Sequence, residues 1–139
     1  MLSLTYLSSA TAEMTALQLD DLLRRARLVN ERCDITGMLL YAGGSFIQTL
    51  EGPADAVDAR FTMIEADERH HTLFIVLREE VERREFLAWW MGYRRIPERD
   101  ARRLPGLTDY LDTGRIDGEE PRRSAVTTFH RAFREHLGA

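Results

Sequence analysis

The chain has 139 residues, 44% of them hydrophobic, with a net charge of -4 and a pI near 5.6. This is enough apolar content for one domain with a single core. The acidic balance argues against a nucleic-acid footprint, and no window is apolar for long enough to span a membrane or serve as a signal h-region, so a soluble, cytoplasmic protein is expected. All 19 basic residues are arginine, which removes lysine Schiff-base chemistry, and neither a GxxxxGK phosphate loop nor a GxGxxG fingerprint occurs. The single cysteine, Cys33, excludes an internal disulfide framework and a cysteine-cluster metal site; it reads as a small core hydrophobe, and no metal is expected.

Residues 2 to 8 alternate Leu2, Leu4, Tyr6 and Ser8 against Ser3, Thr5 and Leu7, a strand with one apolar face and Tyr6 pointing inward. Thr15 with Gln18 three residues on is a capping-box signature, and Leu19, Leu22, Leu23, Ala26 and Val29 follow at helical spacing. A helix over about 16–29 is predicted, with Asn30 at its exit. The runs 35–41 and 46–51 flank Gly43-Gly44, which suits a two-residue hairpin turn, and Phe46, Gln48 and Leu50 share a face of the second strand. Gly52-Pro53 opens a second helix whose stripe is Val57, Phe61 and Ile64, and 67–71 closes it in polar residues.

The apolar run from Leu73 to Leu77 reads as a buried central strand, and a last strand is expected around Trp89 to Arg95, with Trp89, Met91 and Tyr93 on one face. The order β-α-β-β-α-β-β predicts an α+β, ferredoxin-like sandwich: a five-stranded mixed sheet with two helices on one face. The tail supplies cover for the other face. Leu104, Leu107, Tyr110 and Leu111 suggest a short helix, and after a polar break at 118–121, Val126, Phe129, Phe133 and Leu137 form an amphipathic stripe. A partner-binding arm is the alternative for this tail.

Tyr6, Asn30, Gln48 and Trp89 place hydrogen-bonding groups on core-facing positions. Unpaired there, such groups cost about 1–3 kcal/mol each, so they need partners. These residues, with the strand 35–41, the run Phe46-Ile47-Gln48-Thr49-Leu50-Glu51-Gly52-Pro53, the segment 67–71 and Trp89-Trp90-Met91-Gly92, resemble the BLUF domains, blue-light sensors that use a flavin. The chain looks like the short stand-alone type. The resemblance implies a photosensor domain over 1–96 and a helical extension over 97–139 that packs on the sheet or on a partner.

It further implies a flavin, FAD or else FMN or riboflavin, held without a covalent bond. Asn30 would bond the polar ring edge and Gln48 would bridge the ring to Tyr6. Leu22, Val29, Ile35 and Ile64 would supply apolar contacts, with Asp67, Arg69 and His70 at the far ring edge or side chain. Met63 stands where the family often carries arginine, which weakens the case for phosphate binding there. The implied photocycle has Tyr6 donate an electron and then a proton, after which Gln48 rotates or tautomerises and red-shifts the absorption. Trp89 and Met91 compete as the signal relay, and Trp90 faces the opposite side, toward the tail or a dimer partner.

On this reading the chain is no enzyme and carries no effector domain, so its output goes to a separate effector protein, with a homodimer or higher oligomer expected and no nucleic acid or membrane. Two other classes could use the same architecture. An acylphosphatase-like hydrolase leaves Tyr6, Gln48 and Trp89 unexplained and lacks a glycine-rich loop after the first strand. A non-catalytic dimerisation module would bury Trp90 and the tail stripe without a ligand.

Overall fold

The computed structural model describes residues 1–139 apart from 88, 89, 102, 105 and 136–139, so the expectations for Trp89 and Leu137 lie outside the described residues. Ten elements follow in order: β1 (Leu2–Ala10), α1 (Ala16–Cys33), β2 (Thr36–Ala42), β3 (Ser45–Gly52), α2 (Ala54–Glu65), β4 (His70–Glu80), β5 (Gly92–Ile96), α3 (Glu98–Ala101), α4 (Leu107–Thr113) and α5 (Glu119–Glu135). The strands form one sheet in the order β4-β1-β3-β2-β5, antiparallel except for β5 beside β2. This is the five-stranded mixed sheet that the element order predicts, with helices on both faces.

Local chemistry explains most of the boundaries. At the start of α1 the Thr15 hydroxyl accepts from the Gln18 amide at 3.2 Å, and the Gln18 side chain accepts from the Thr15 amide at 2.9 Å. The β2–β3 turn puts Gly43 at φ 56° and Gly44 at φ 79°, the left-handed pair that a tight hairpin requires. Helix α1 runs a turn further than its apolar stripe indicates. It ends where Asp34 turns left-handed at φ 58° and the Ile35 amide bonds the Asn30 carbonyl at 2.8 Å. Asn30 therefore lies in the last turn of the helix, fully buried, and Cys33 is exposed on its outer side rather than in the core.

Strand β4 lies at the sheet edge, while β1 and β3 are central. Its apolar run misleads because the tail covers one side only: Val76 is buried among tail residues, with Phe74 and Leu77 packed against them, and Ile75 is exposed. Strand β5 begins at Gly92, later than predicted, and Trp90 and Met91 precede it in a bend. In the tail, Glu119, Glu120 and Pro121 belong to the first turn of α5 rather than to a break, a position where proline loses no helical hydrogen bond. Leu111 is exposed, and α3 was not foreseen.

Two cores result, one per sheet face. Leu4, Leu39, Leu50 and Met91 pack with Leu19, Leu23 and Val57 from α1 and α2. Leu7, Met38, Leu40 and Ile47 pack with Val126, Phe129 and Phe133 from α5. Each of the two buried phenylalanines contributes about 2–3 kcal/mol of apolar burial, so α5 is an integral wall of the fold. Its approach depends on Gly92, where a Cβ would lie 2.5 Å from the Phe133 ring.

One polar bond fastens α5 to the centre of the sheet. His130 Nε2 is 2.8 Å from Thr49 Oγ1, which is itself 2.7 Å from Thr5 Oγ1, and the Phe86 ring packs edge-on against the imidazole at 4.9 Å. Burial pushes the His130 pKa down to about 4, helped by Arg134 and opposed by Glu85. In the window from an unfolded pKa near 6.5 down to about 4, the unfolded chain takes up a proton that the folded chain refuses, so stability falls as pH falls. The loss amounts to roughly 3 kcal/mol. Denaturant unfolding at about pH 7 and about pH 4.5 should show that decline, and His130→Gln should flatten it; an equal slope in both proteins would refute the assignment.

Candidate functional site

The first core is not filled. Between α1, α2 and the sheet lies a cavity of about 270 Å³. Tyr6 and Gln48 form its inner wall because β1 and β3 pair Tyr6 opposite Gln48, and β2 pairs Leu39 with Gln48 on the other side. Directly opposed residues project from the same sheet face, so all three point at the helices.

The Tyr6 hydroxyl donates a hydrogen bond to Gln48 Oε1. From the same amide, Nε2 donates to Met91 Sδ at 3.5 Å. Both residues are nearly sealed from solvent, at 3% and 6% exposure, and burial pushes the Tyr6 phenol well above its ordinary pKa, with Arg60 opposing. Tyr6 is therefore a neutral phenol at any working pH, holding its proton against an amide oxygen. The Phe61 ring of α2 meets it edge-on at 5.4 Å.

Asn30 sits where α1 meets the chain leading into β5. Its Nδ2 donates to the Trp90 carbonyl at 2.8 Å, and one turn earlier Arg27 Nε donates to the Met91 carbonyl at 2.9 Å. Asn30 Oδ1 is buried with no partner among the described residues. A buried acceptor left in this state is costly unless a ligand supplies the donor.

Of the residues singled out from the sequence, Tyr6, Leu22, Val29, Gln48, Ile64, Asp67, Arg69 and His70 line the cavity. Ile35 does not: it is fully buried just before β2, within the core of that face. Asn30 is not among the lining residues, although Val29 before it is, and Met91 supplies part of the wall. Arg69 is engaged by Asp67, which accepts from its Nε at 2.9 and 3.0 Å; this pairing holds the Asp67 carboxyl below its usual range. His70 Nε2 is 2.6 Å from the Ile64 carbonyl, so it must carry the proton, and Nδ1 then accepts from the Ser8 hydroxyl at 2.8 Å. His70 thus braces the end of α2 against β1.

Sequence reading missed Arg25, Arg60 and Phe46 in the lining. Phe46 was legible, since it shares a face with Gln48. Arg60 lies four residues before Ile64, on the same face of α2, so the helical period could have found it. Its Nε is buried without a partner among the described residues, and burial lowers its pKa. Arg25 is paired with Asp21 at 3.1 Å.

The result is a largely apolar slot with a hydroxyl and an amide at its inner wall and a half-buried guanidinium, its Nε sealed, among its lining, while the unpaired Asn30 oxygen lies in the last turn of α1. That donor set fits a planar heteroaromatic ring with carbonyl and N–H groups along one edge. Among the described residues no group of His, Cys, Asp and Glu could hold a metal ion, and no helix is long and apolar enough to cross a membrane.

Comparison with known proteins identifies the family. Residues 1–92 match the family model described as "Sensors of blue-light using FAD". The photoactivated adenylate cyclase subunit beta of Euglena longa is 41% identical over 88 residues, 63% of this chain and 10% of that protein. The subunit alpha of Euglena gracilis is 40% identical over 84 residues, 60% of this chain and 8% of that protein. The chain thus spans about a tenth of the length of these curated relatives. The dark-state structure of BlrB, a BLUF protein, superposes with a TM-score of 0.72 at 32% identity, covering 94% of this chain and 96% of that one. With residues 1–92, about two thirds of its length, matching the family model, the chain belongs to the BLUF family, sensors of blue light using FAD.

Proposed function

We propose that Tyr6 and Gln48 carry the photochemistry and that Met91 reads it out, with residues 1–96 as the sensing unit and 97–139 as the extension that receives the signal. The observation that supports this most is the buried chain from Tyr6 Oη through the Gln48 amide to Met91 Sδ. Leu22, Val29 and Ile64 would flank the ring, Asn30 would meet its polar edge, and Asp67, Arg69 and His70 would close the far end. FAD, FMN and riboflavin share the ring these residues would hold.

A bound flavin supplies the blue absorption and, once excited, the demand for an electron. Tyr6 would be the electron source for that demand and would release its proton to Gln48 Oε1, the partner it already has; the amide would rotate or tautomerise before Tyr6 recovers both. Tyr6 can donate or accept, so it bonds either end of the amide. Met91 sulfur is different: it accepts weakly from N–H and has nothing to offer a carbonyl oxygen. A turned amide therefore keeps its tyrosine and loses its methionine.

That asymmetry makes Met91, which leads directly into β5, a sensor of amide orientation. Trp89 belongs to the same relay in this reading. The activity is a photocycle and not substrate turnover, and the output goes to a separate effector protein. Self-association is part of the same reading, with the exposed Trp90 indole and the tail as contact surfaces.

Absorption spectra in darkness and straight after blue light should show a flavin band with a small, reversible red shift. Tyr6→Phe and Gln48→Leu should keep the flavin and lose the shift; persistence of the shift in both would refute the mechanism. Asn30→Ala should weaken flavin retention by about 1–3 kcal/mol, measured by fluorescence titration of the apoprotein. Unchanged retention would remove Asn30 from the site.

A further inference from the structure

Between β4 and β5, Phe86 and Met91 lie on opposite faces of the sheet, and Met91 meets Gln48. Phe86 is buried on the α5 side between His130 and Phe133, and Met91 is buried on the α1 side. A change of face of this kind needs a fixed point. The Glu51 side chain provides one: it is fully buried, and its carboxylate accepts from the Glu85 amide at 2.9 Å on both oxygens and from the Phe86 amide at 2.9 Å. Arg84 adds a second hold, donating to the Thr36 hydroxyl at 3.0 Å and to the Asp34 carbonyl at 2.8 Å.

Glu51 and Gln48 lie three residues apart on β3, so their side chains leave opposite faces of the sheet. One strand thus grips the segment twice, through a carboxylate at Glu85 and Phe86 and through an amide at Met91. A buried carboxylate is costly, and taking backbone N–H groups from a loop is what offsets that cost here.

We propose that Glu51 is a positioning residue of the photocycle: its carboxylate fixes the backbone at Glu85 and Phe86, and through that anchor places Met91 Sδ where it meets Gln48 Nε2 and holds the amide in its dark orientation. This deepens the photosensor reading above and rests on it. Glu51 has no contact with the cavity and acts only through the segment.

The test uses the full chain loaded with FAD and follows the dark recovery of the red-shifted band after a blue flash. Glu51→Asp keeps the charge but shortens the reach, and Glu51→Gln keeps the reach and one acceptor oxygen. If the hold on the segment matters, Glu51→Asp should change recovery by about fivefold, in the same direction as Met91→Ala, and Glu51→Gln should stay near wild type. The double variant E51D/M91A should recover like M91A alone, because a residue acting through Met91 has no effect once Met91 is gone. Multiplying effects in the double variant, or wild-type recovery in Glu51→Asp, would overturn the proposal. Should Glu51→Asp fail to fold, Glu51→Gln carries the decision: recovery altered as strongly as in Met91→Ala would mean that charge and not reach is at work, and the proposal would fall. A wild-type protein that binds FAD but shows no red shift would instead refute the photochemical reading on which this one rests.

Discussion

The constraint that organises this protein is a primary amide sealed inside a β-sheet core. Gln48 brings two N–H donors and a carbonyl acceptor to a place where water cannot serve them, and each must be met by a neighbour. Tyr6 meets the oxygen because strand register sets the two opposite each other. Met91 meets one N–H, and a thioether is a weak acceptor, so the amide is held firmly at one end and loosely at the other. Firm at both ends, it would be a structural glutamine; loose at both, it would have no defined state. A side chain held in this way can give up the weaker bond without losing the stronger one, which is what the proposed switch needs.

Much of this was legible in the sequence because periodicity reports burial. Alternation along residues 2–8 and the phase of Phe46, Gln48 and Leu50 put Tyr6 and Gln48 on the helix-facing side, and the capping box and Gly-Gly turn located α1 and the hairpin. The errors came where a residue type stood in for its surroundings. Cys33 was placed in the core because cysteine usually is, yet it falls on the outer face of α1's last turn. An apolar run suggested a central β4, but hydrophobicity cannot distinguish a strand flanked by strands from an edge strand covered by a helix. Asn30 was placed beyond the helix because polar residues often end one, whereas the stop lies at Asp34 in its left-handed conformation.

Some of the site could not have been read at all. Period alone leaves Trp89 and Met91 equivalent; only the path of the preceding segment brings the Met91 sulfur to Gln48. Glu51 and His130 look like surface residues in sequence, a charge near a turn and a histidine on an amphipathic helix. Their roles depend on contacts with residues far along the chain: Glu51 with the backbone 34 and 35 positions later, and His130 with Thr49, 81 positions earlier. No local pattern carries that information.

Those distant contacts bear on how an event at Gln48 could leave the site. The sheet is a stiff, doubly covered layer, and a rotated amide moves no backbone by itself. What an amide turn does change is which neighbour is bonded. Tyr6 remains bonded in either orientation, so β1 receives little. Met91 is bonded in one orientation only, and its segment is tied to the sheet by Glu51, to α1 by Asn30 and Arg27, and to α5 through Phe86 packed on Phe133. Phe133 also closes on Gly92, the residue after Met91, so both ends of the segment press on the same ring of α5. In the proposed relay, release at Met91 would reach the far face through these contacts around the end of the sheet, with no distortion of the central strands.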